Sequence, residues 1–261
     1  MRKILALCAL ALCQACTTAQ RVPAASGQPS EVLVEYFPAD VRPAPTVLVA
    51  HSCSGVSTHE TSWAKALNGW GYNAAVVDSF GGRGVHTVCG RSHLVNERLR
   101  AADLVLVAED VRRQPWHRGK IGAVGFSHGG GTMLALAERP RYQAWASDVL
   151  DEGEPTPIDA VVSYYPGCVS AGPPLHPDMP VMIHFAVKDD WTPPSQCGWS
   201  PGTQKFADPR YAVHAYPNAR HTFDRFGPRR NYLGYVLEYD GEADRLSRER
   251  TREFFARFLK P

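Results

Sequence analysis

Residues 120–131 read Lys-Ile-Gly-Ala-Val-Gly-Phe-Ser-His-Gly-Gly-Gly, and this stretch decides the fold. Its first half is an apolar run typical of a buried strand, and residues 128–138 follow with a helical pattern. A Gly-x-Ser-x-Gly sequence between a strand and a helix predicts a nucleophile elbow, a tight turn that presents the Ser127 hydroxyl at the edge of a sheet. The amide of His128 is then placed to bind a developing oxyanion at the positive end of the helix. No Lys-Ser or Lys-Thr pair follows the glycines, which disfavours a phosphate-binding loop.

The chain on both sides of this turn alternates strand-like and helix-like segments. Apolar runs such as Thr46–Ala50 are typical of strands buried on both faces. Because strands and helical segments alternate, we predict one α/β domain with a mostly parallel central sheet flanked by helices. Such a sheet gathers the carboxyl ends of its strands at one edge, where ligand sites lie. The predicted strands are 31–37, 46–50, 72–77, 120–125, 158–164, 181–187 and 211–216, and the predicted helices are 60–70, 97–113, 128–138 and 242–260.

The composition is that of a globular protein and limits the choice of partners. The chain has 261 residues, of which 44% are hydrophobic and 21% charged, so disordered and fibrous classes are excluded. Its formal net charge of +2 comes from Arg2 and Lys3, since residues 1–20 contain no Asp or Glu. The remainder is neutral and lacks the basic surface that a nucleic-acid partner requires.

The N-terminus is typical of a secretory signal peptide. A positive start precedes the apolar run Ile4–Cys13, which is shorter than the roughly 20 residues that a membrane-spanning helix needs. We therefore predict a signal peptide over residues 1–19, a Pro/Ser/Gly-rich linker over 20–30 and the α/β domain over 31–261.

The end of the signal also resembles a bacterial lipoprotein signal, in which a small residue precedes a lipidated cysteine. Here that pair is Ala15-Cys16, which makes Cys16 the expected lipidation site and attaches the protein to a membrane through its N-terminus. Ordinary cleavage near Thr17–Ala19 is the alternative. Both interpretations predict export, to the periplasm, to the bacterial envelope as a lipid-anchored protein, or to the medium.

Export changes the meaning of the seven cysteines. Three belong to the predicted signal, and four remain in the domain: Cys53, Cys89, Cys168 and Cys197. An even number in an exported protein predicts disulfides, with three pairings to choose from. A zinc site built from these cysteines with His51 and His93 is disfavoured because the chain has no Cys-x2-Cys spacing. Four reduced, buried cysteines are the remaining alternative.

A serine nucleophile needs a histidine base oriented by an acid, and both follow later strands. The strand 181–187 is followed by Asp189 and Asp190, and the strand 211–216 is followed by His221. The order serine, acid, histidine is that of the α/β-hydrolase fold. Other histidines are less suitable: His184 and His214 lie within strands, and His51 precedes the serine.

Four segments resemble the dienelactone hydrolase family: Gly125-Phe-Ser-His-Gly-Gly130, Tyr164-Tyr-Pro-Gly-Cys168, Lys188-Asp-Asp-Trp-Thr-Pro193 and Tyr216-Pro-Asn-Ala-Arg-His-Thr-Phe223. The resemblance extends over roughly residues 30–260. It implies an α/β-hydrolase fold with Ser127 as nucleophile, Asp189 as acid and His221 as base. Asp189 is preferred to Asp190 because the family spaces its acid four residues before a proline.

The chain also departs from the namesake enzymes of that family. Those enzymes use a cysteine nucleophile activated through a glutamate, whereas this chain has Ser127 and carries Ser52 where the glutamate would fall. A serine depends on its histidine for activation, while a cysteine reacts as a preformed thiolate. The resemblance therefore implies a general serine esterase branch acting on small-molecule esters, without a cofactor or a metal.

The resemblance assigns further residues around the serine. The amide of Cys53 or Ser54 is the expected second oxyanion donor beside that of His128. Since Cys53 and Cys89 both follow strands at the active edge, we expect a disulfide between them, with Cys168–Cys197 as the other pair. The aromatic side chains expected to line the substrate pocket are Trp191, Tyr165 and Phe126. A place in the core is the alternative for all three, and Phe126 is expected to belong to both wall and core.

Three charged residues near this edge are not expected to take part in catalysis. Arg83 occupies a position where the family can bind a substrate carboxylate, but a surface arginine is the favoured interpretation. Arg98 and Asp103 are expected to form an ion pair. Two functions compete with ester hydrolysis: amidase or peptidase activity on the same fold, and a non-enzymatic envelope lipoprotein that binds a ligand.

Overall fold

The computed structural model describes residues 18–23, 31–138, 155–168, 173, 176–203 and 205–260. An eight-stranded sheet runs through the molecule. Its strands are β1 (Thr18–Pro23), β2 (Glu31–Phe37), β3 (Ala44–Ala50), β4 (Asn73–Asp78), β5 (His117–Phe126), β6 (Ala160–Tyr164), β7 (Val181–Ala186) and β8 (Tyr211–Tyr216). Their order in the sheet is β1-β2-β4-β3-β5-β6-β7-β8. The pairs from β4 to β8 are all parallel, and β1 and β2 join antiparallel at one edge.

Helices cover both faces of this sheet, which confirms the predicted α/β architecture. The helices are α1 (Thr58–Gly69), α2 (Glu97–Arg112), α3 (His128–Leu136) and α4 (Gly241–Leu259). Successive side chains of a strand point to opposite faces. In β3, Leu48 and Ala50 accordingly join the core packed by α2 and α3, while Val47 and Val49 join the core packed by α1 and α4. The apolar run that predicted β3 is therefore explained by burial on both faces.

Helix starts are set by local side-chain hydrogen bonds. The Ser57 side chain accepts from the His59 amide, and the Glu60 carboxylate accepts from the Ser57 amide at 2.8 Å, which together form a capping box. This box starts α1 at Thr58, two residues before the predicted start. Asp240 caps α4 in the same way, accepting from the amides of Glu242 and Ala243.

The structure adds three strands that the sequence did not predict. β1 contains Gln20–Pro23, the first part of the segment expected to be a linker, and it pairs with β2. Two short strands, β9 (Arg230–Tyr232) and β10 (Tyr235–Leu237), form a hairpin. Its turn residues Leu233 and Gly234 have φ angles of 51° and 89°, as a type I′ turn requires.

The targeting predictions fall mostly outside the described residues. The apolar part of the signal and Cys16 both lie there, so the structure has no bearing on them. Within the described ranges, no helix combines the length and the apolarity needed to cross a bilayer.

Candidate active site

Ser127 lies at the carboxyl end of β5, between that strand and α3. Its backbone has φ 56° and ψ −112°, a conformation that non-glycine residues rarely adopt. The turn is tight enough that a Cβ atom on Gly125 would collide with the carbonyl oxygen of Gly129, and one on Gly129 would collide with that of Ala50. The Ser127 amide donates to the Tyr164 carbonyl at 3.0 Å. These contacts hold the serine in the strained geometry of a nucleophile elbow.

The structure brings Ser127, His221 and Asp189 together in one hydrogen-bonded chain. His221 Nε2 lies 2.9 Å from Ser127 Oγ, and its Nδ1 lies 2.7 Å from Asp189 Oδ2. All three residues are buried, with Ser127 the most exposed at 5%. His221 follows β8 and Asp189 follows β7, so the parallel strands deliver the three side chains to one edge of the sheet.

The loop after β7 surrounds the Asp189 carboxylate with donors. Oδ1 accepts from the amides of Trp191 and Thr192, each at 2.9 Å, and Oδ2 accepts from the Thr192 hydroxyl at 2.9 Å. Burial raises the pKa of Asp189, but the charge and hydrogen bonds of His221 and the hydrogen bonds from Thr192 outweigh it and hold the pKa below its usual value. Asp189 is therefore ionised at neutral pH and fixes the orientation of His221.

Asp190, the neighbouring carboxylate, has a different environment. It accepts from the amide of Val236 at 3.1 Å and lies 3.9 Å from Arg220. The amide of Glu238 in turn donates to the His221 carbonyl at 3.2 Å. Through these two hydrogen bonds, the hairpin β9–β10 contacts both the loop that carries Asp189 and the loop that carries His221.

Two backbone amides are available beside Ser127. The His128 amide is the first of α3, where helix geometry leaves the N–H without an intrahelical acceptor. The Cys53 amide has no acceptor in the described part of the chain, whereas the Ser54 amide reaches the Ser52 hydroxyl at 3.4 Å. Cys53 and His128 both line the cleft at Ser127, and Ser54 does not. Of the two expected donors in this loop, the geometry favours Cys53.

A buried arginine contacts both segments that carry the expected oxyanion donors, and sequence reasoning missed it. Arg100 Nη1 donates to His128 Nδ1 and Nη2 donates to the His51 carbonyl, both at 2.7 Å. Its guanidinium also lies 5.1 Å from the ring centre of Phe80. Burial and the Arg100 charge lower the pKa of His128 well below its usual value, so this imidazole is neutral. The signal in the sequence is that α2 carries charged residues, Arg100 and Asp103, among the apolar residues of its buried face.

Both disulfides form with the expected pairing. Cys53–Cys89 and Cys168–Cys197 have Cα–Cα distances of 4.9 and 5.1 Å. The first ties the loop after β3 to the loop after β4, beside the serine. The alternative of a zinc site is wrong, because the sulfur atoms of Cys53 and Cys89, two of its ligands, are bonded to each other. Two disulfides indicate folding in an oxidising environment.

The cleft at Ser127 has a volume of about 310 Å³. Trp191 lines it, as expected. Tyr165 and Phe126 do not: the Tyr165 hydroxyl donates to Asp224 at 2.7 Å, and Phe126 packs in the core against Trp63. A larger groove of about 490 Å³ runs along β1 and β2, but none of the three hydrogen-bonded residues lines it. Of the three aromatic residues, Trp191 therefore lies in this cleft, and Tyr165 and Phe126 lie in the core, which was the alternative for them.

The expectation of a surface arginine at position 83 is wrong, and so is the Arg98–Asp103 pair. Arg83 binds Asp103 through both terminal nitrogens, at 2.7 and 2.8 Å. The two side chains are 6% and 0% exposed. The loop after β4 turns Arg83 inward, onto the carboxylate that α2 presents, and this long-range contact has no signature in the local sequence.

A second buried carboxylate, Asp224, lies three residues after His221. It accepts from His59 Nε2 and Trp63 Nε1, each at 2.9 Å, and from the Tyr165 hydroxyl at 2.7 Å. The Tyr165 ring lies 4.9 Å from the His221 ring. These hydrogen bonds anchor the segment that follows His221. The residues that make them come from distant parts of the chain, so sequence spacing does not reveal the cluster.

The comparisons with known proteins agree with this architecture. The family model for the dienelactone hydrolase family matches residues 33–259. A structure of dienelactone hydrolase from Anabaena variabilis superposes with a TM-score of 0.61 at 18% identity, covering 93% of this chain and 99% of that one. A dienelactone hydrolase-like promiscuous phosphotriesterase from metagenomic libraries gives a TM-score of 0.67 at 20% identity, covering 93% and 99%.

A third structure, esterase 2 of Thermogutta terrifontis phosphoramylated by tabun, gives a TM-score of 0.62 at 17% identity, covering 94% of this chain and 96% of that one. No curated protein sequence matches the chain. At these identities the solved structures show a shared fold, and the family model adds the sequence relationship across most of the chain. The chain belongs to the dienelactone hydrolase family.

Proposed function

We propose that the protein is a serine hydrolase that cleaves carboxylic esters through an acyl-enzyme. The observation that carries this proposal is the continuous chain from Asp189 through His221 to Ser127, with contacts of 2.7 and 2.9 Å. Nucleophile, base and acid are within hydrogen-bond reach of one another, which is the geometry that nucleophilic catalysis by serine requires. The similar structures include an esterase and a phosphotriesterase, which supports a hydrolase.

In the proposed mechanism, Ser127 Oγ attacks the ester carbonyl while His221 Nε2 takes its proton. Asp189 holds the imidazole in the tautomer with a proton on Nδ1 and stabilises the imidazolium that forms. The amides of Cys53 and His128 donate to the oxyanion of the tetrahedral intermediate. His221 then protonates the leaving alcohol, and a water activated by the same imidazole releases the acyl group from Ser127.

The test is covalent labelling of the serine combined with ester turnover. We expect a fluorophosphonate probe to label the protein at Ser127, and p-nitrophenyl acetate to be hydrolysed. Ser127→Ala should abolish labelling and lower kcat by about 10⁴- to 10⁶-fold, because members of a catalytic unit act together. Ser62→Ala, a change at an exposed serine of α1, is the control and should label as the wild type does. A folded wild type that neither labels nor turns over would overturn the proposal.

We also propose that the chain is exported and carries a lipid on Cys16. The two disulfides support an oxidising compartment outside the cytoplasm, and the Ala15-Cys16 pair supports the lipid. In bacterial cells supplied with labelled palmitate, the wild type should incorporate label and sediment with membranes. Cys16→Ser should lose both properties, and Cys13→Ser, the matched control in the same segment, should keep them. Label retained by Cys16→Ser would contradict the assignment.

A further inference from the structure

The cleft at Ser127 contains an acidic side chain and lacks a basic one among its described lining residues. Glu97, the first residue of α2, lines it and is only 4% exposed. Its Oε1 lies 3.5 Å from His128 Nε2. No described residue that lines the cleft is a lysine or an arginine. A substrate that enters this cleft therefore meets a carboxylate close to the proposed oxyanion donors.

Two buried arginines of neighbouring elements, Arg83 after β4 and Arg100 on α2, are engaged elsewhere. Arg83 donates from both terminal nitrogens to Asp103, and Arg100 donates from its two to His128 and the His51 carbonyl. Neither arginine lines the cleft. A substrate carboxylate would therefore meet no lysine or arginine among the described residues that line the cleft, and its approach to the Glu97 carboxylate is unfavourable.

The cleft also has an aromatic wall. Trp191 and Tyr235 both line it, and their rings are stacked at 5.0 Å with an angle of 7° between their planes. Trp191 follows β7, whereas the Cys53–Cys89 disulfide follows β3 and β4. Since β5 lies between these strands in the sheet, the aromatic pair and the disulfide stand on opposite sides of Ser127. Planar rings and apolar groups are favoured on the Trp191 side.

We propose that the site selects uncharged aromatic carboxylic esters: the aromatic group lies against Trp191 and Tyr235, and Glu97 excludes substrates that carry a second, free carboxylate. This inference rests on the proposed esterase function and names its substrate class. Glu97 and Tyr235 are specificity-determining residues in this arrangement, and neither takes part in proton transfer.

The charge selection is tested with a pair of isosteric methyl esters, monomethyl succinate and its neutral amide analogue methyl succinamate. We expect the wild type to prefer the amide by at least about tenfold in kcat/KM, as measured by methanol release. Glu97→Gln should shrink this ratio towards one. Glu109→Gln, which removes a carboxylate elsewhere on α2, should leave the ratio unchanged. Equal rates for both esters in the wild type, or an unchanged ratio in Glu97→Gln, would overturn the exclusion.

The aromatic wall is tested with methyl 3-phenylpropanoate and methyl 3-cyclohexylpropanoate, which differ in the planarity of the ring. The wild type should prefer the phenyl ester, and Tyr235→Leu should reduce that preference by about fivefold. Phe226→Leu makes a similar change in the same segment at a ring that is 88% exposed, and it should preserve the preference. A wild type without preference, or a Tyr235→Leu variant that retains it, would overturn this part.

Failure of the substrate class is distinguishable from failure of the proposed function. An enzyme that labels with fluorophosphonate and cleaves p-nitrophenyl acetate, but hydrolyses monomethyl succinate as fast as methyl succinamate, is an esterase with a different specificity. An enzyme that does not label and cleaves none of these esters contradicts the function itself. Ratios between paired substrates are used because a general loss of activity in a variant cancels in them.

Discussion

Two buried Asp–His pairs in the described part of the chain differ in the group that the second nitrogen of each imidazole faces. In one pair, Asp189 lies 2.7 Å from Nδ1 of His221, and the other nitrogen faces the Ser127 hydroxyl at 2.9 Å. In the other, Asp224 lies 2.9 Å from Nε2 of His59, and the other nitrogen faces the Glu60 carboxylate at 3.5 Å. The first imidazole is placed between an acceptor and a proton donor, and the second between two acceptors.

This difference decides what each histidine can do. Burial lowers the pKa of His59, but the charges and hydrogen bonds of Asp224 and Glu60 outweigh it and raise the pKa to about 9. His59 is therefore a cation at neutral pH and has no lone pair with which to accept a proton. A buried Asp–His pair is a structural ion pair when carboxylates flank both nitrogens, and a candidate base when one nitrogen faces a hydroxyl.

The largest expected effect separates the two histidines by activity. His221→Gln should lower kcat on p-nitrophenyl acetate by about 10⁴-fold or more, because it removes the base of the proposed catalytic unit. Its stability should change much less than its activity. Steady-state kinetics together with urea unfolding measures both quantities. Substantial turnover by folded His221→Gln would show that another group accepts the proton.

The matching change at His59 should lower the free energy of unfolding and leave the activity largely unchanged. His59→Gln leaves Asp224 ionised and buried without its cationic partner, so we expect a loss of about 3–5 kcal/mol in the free energy of unfolding. Since His59 does not line the cleft at Ser127, the folded fraction should keep most of the wild-type kcat. The two variants are compared by urea unfolding and by active-site titration with fluorophosphonate. Unaltered stability would contradict the ion-pair role.

The raised pKa of His59 also predicts the direction of a pH effect on stability. The pKa of histidine is about 6.5 in an unfolded chain, and that of His59 is raised to about 9 in the folded protein. The contribution of His59 to stability is therefore fully present below pH 6.5 and is lost as pH rises through 9. The difference in unfolding free energy between wild type and His59→Gln should shrink by roughly 3 kcal/mol over that window. Urea unfolding at pH 6 and pH 9.5 measures it, and an equal difference at both pH values would refute it.

The smallest expected effect concerns a single donor to Asp224. Tyr165→Phe removes the hydroxyl that donates at 2.7 Å while keeping the ring against His221. We expect a loss of about 2 kcal/mol in unfolding free energy, in the range for hydrogen bonds to charged groups. Because Tyr165 does not line the cleft, kcat and KM should stay at wild-type values. A changed KM would indicate that Tyr165 contributes to substrate binding.

The parts of the molecule that follow local patterns were predictable from sequence. Apolar runs and the elbow at Ser127 locate the central strands, and because parallel strands end at one edge, Asp189 and His221 are also brought to it. The hairpin was missed because its strands, Arg230–Tyr232 and Tyr235–Leu237, have three residues each and too few apolar positions to show a period.

The parts that depend on distant contacts were not predictable. Asp224 is 165 residues from His59 and 59 from Tyr165, and no spacing rule joins them. Arginines usually lie at the surface, and the sequence does not show that Arg83 meets a buried partner, Asp103, from a different element. For Tyr165 and Phe126 the sequence leaves pocket and core open, because the direction of each side chain depends on the packing of distant elements that places both in the core.

The hairpin β9–β10 has an evolutionary consequence. It supplies Tyr235 to the substrate wall, yet the same short segment binds the acid loop through Val236 and the base loop through Glu238. A mutation in this hairpin that changes the ester accepted at the proposed wall would therefore also act next to the contacts that hold the loops of Asp190 and His221. We expect lineages that change substrate to carry paired substitutions inside this hairpin, one refitting the wall and one restoring the alignment of the base.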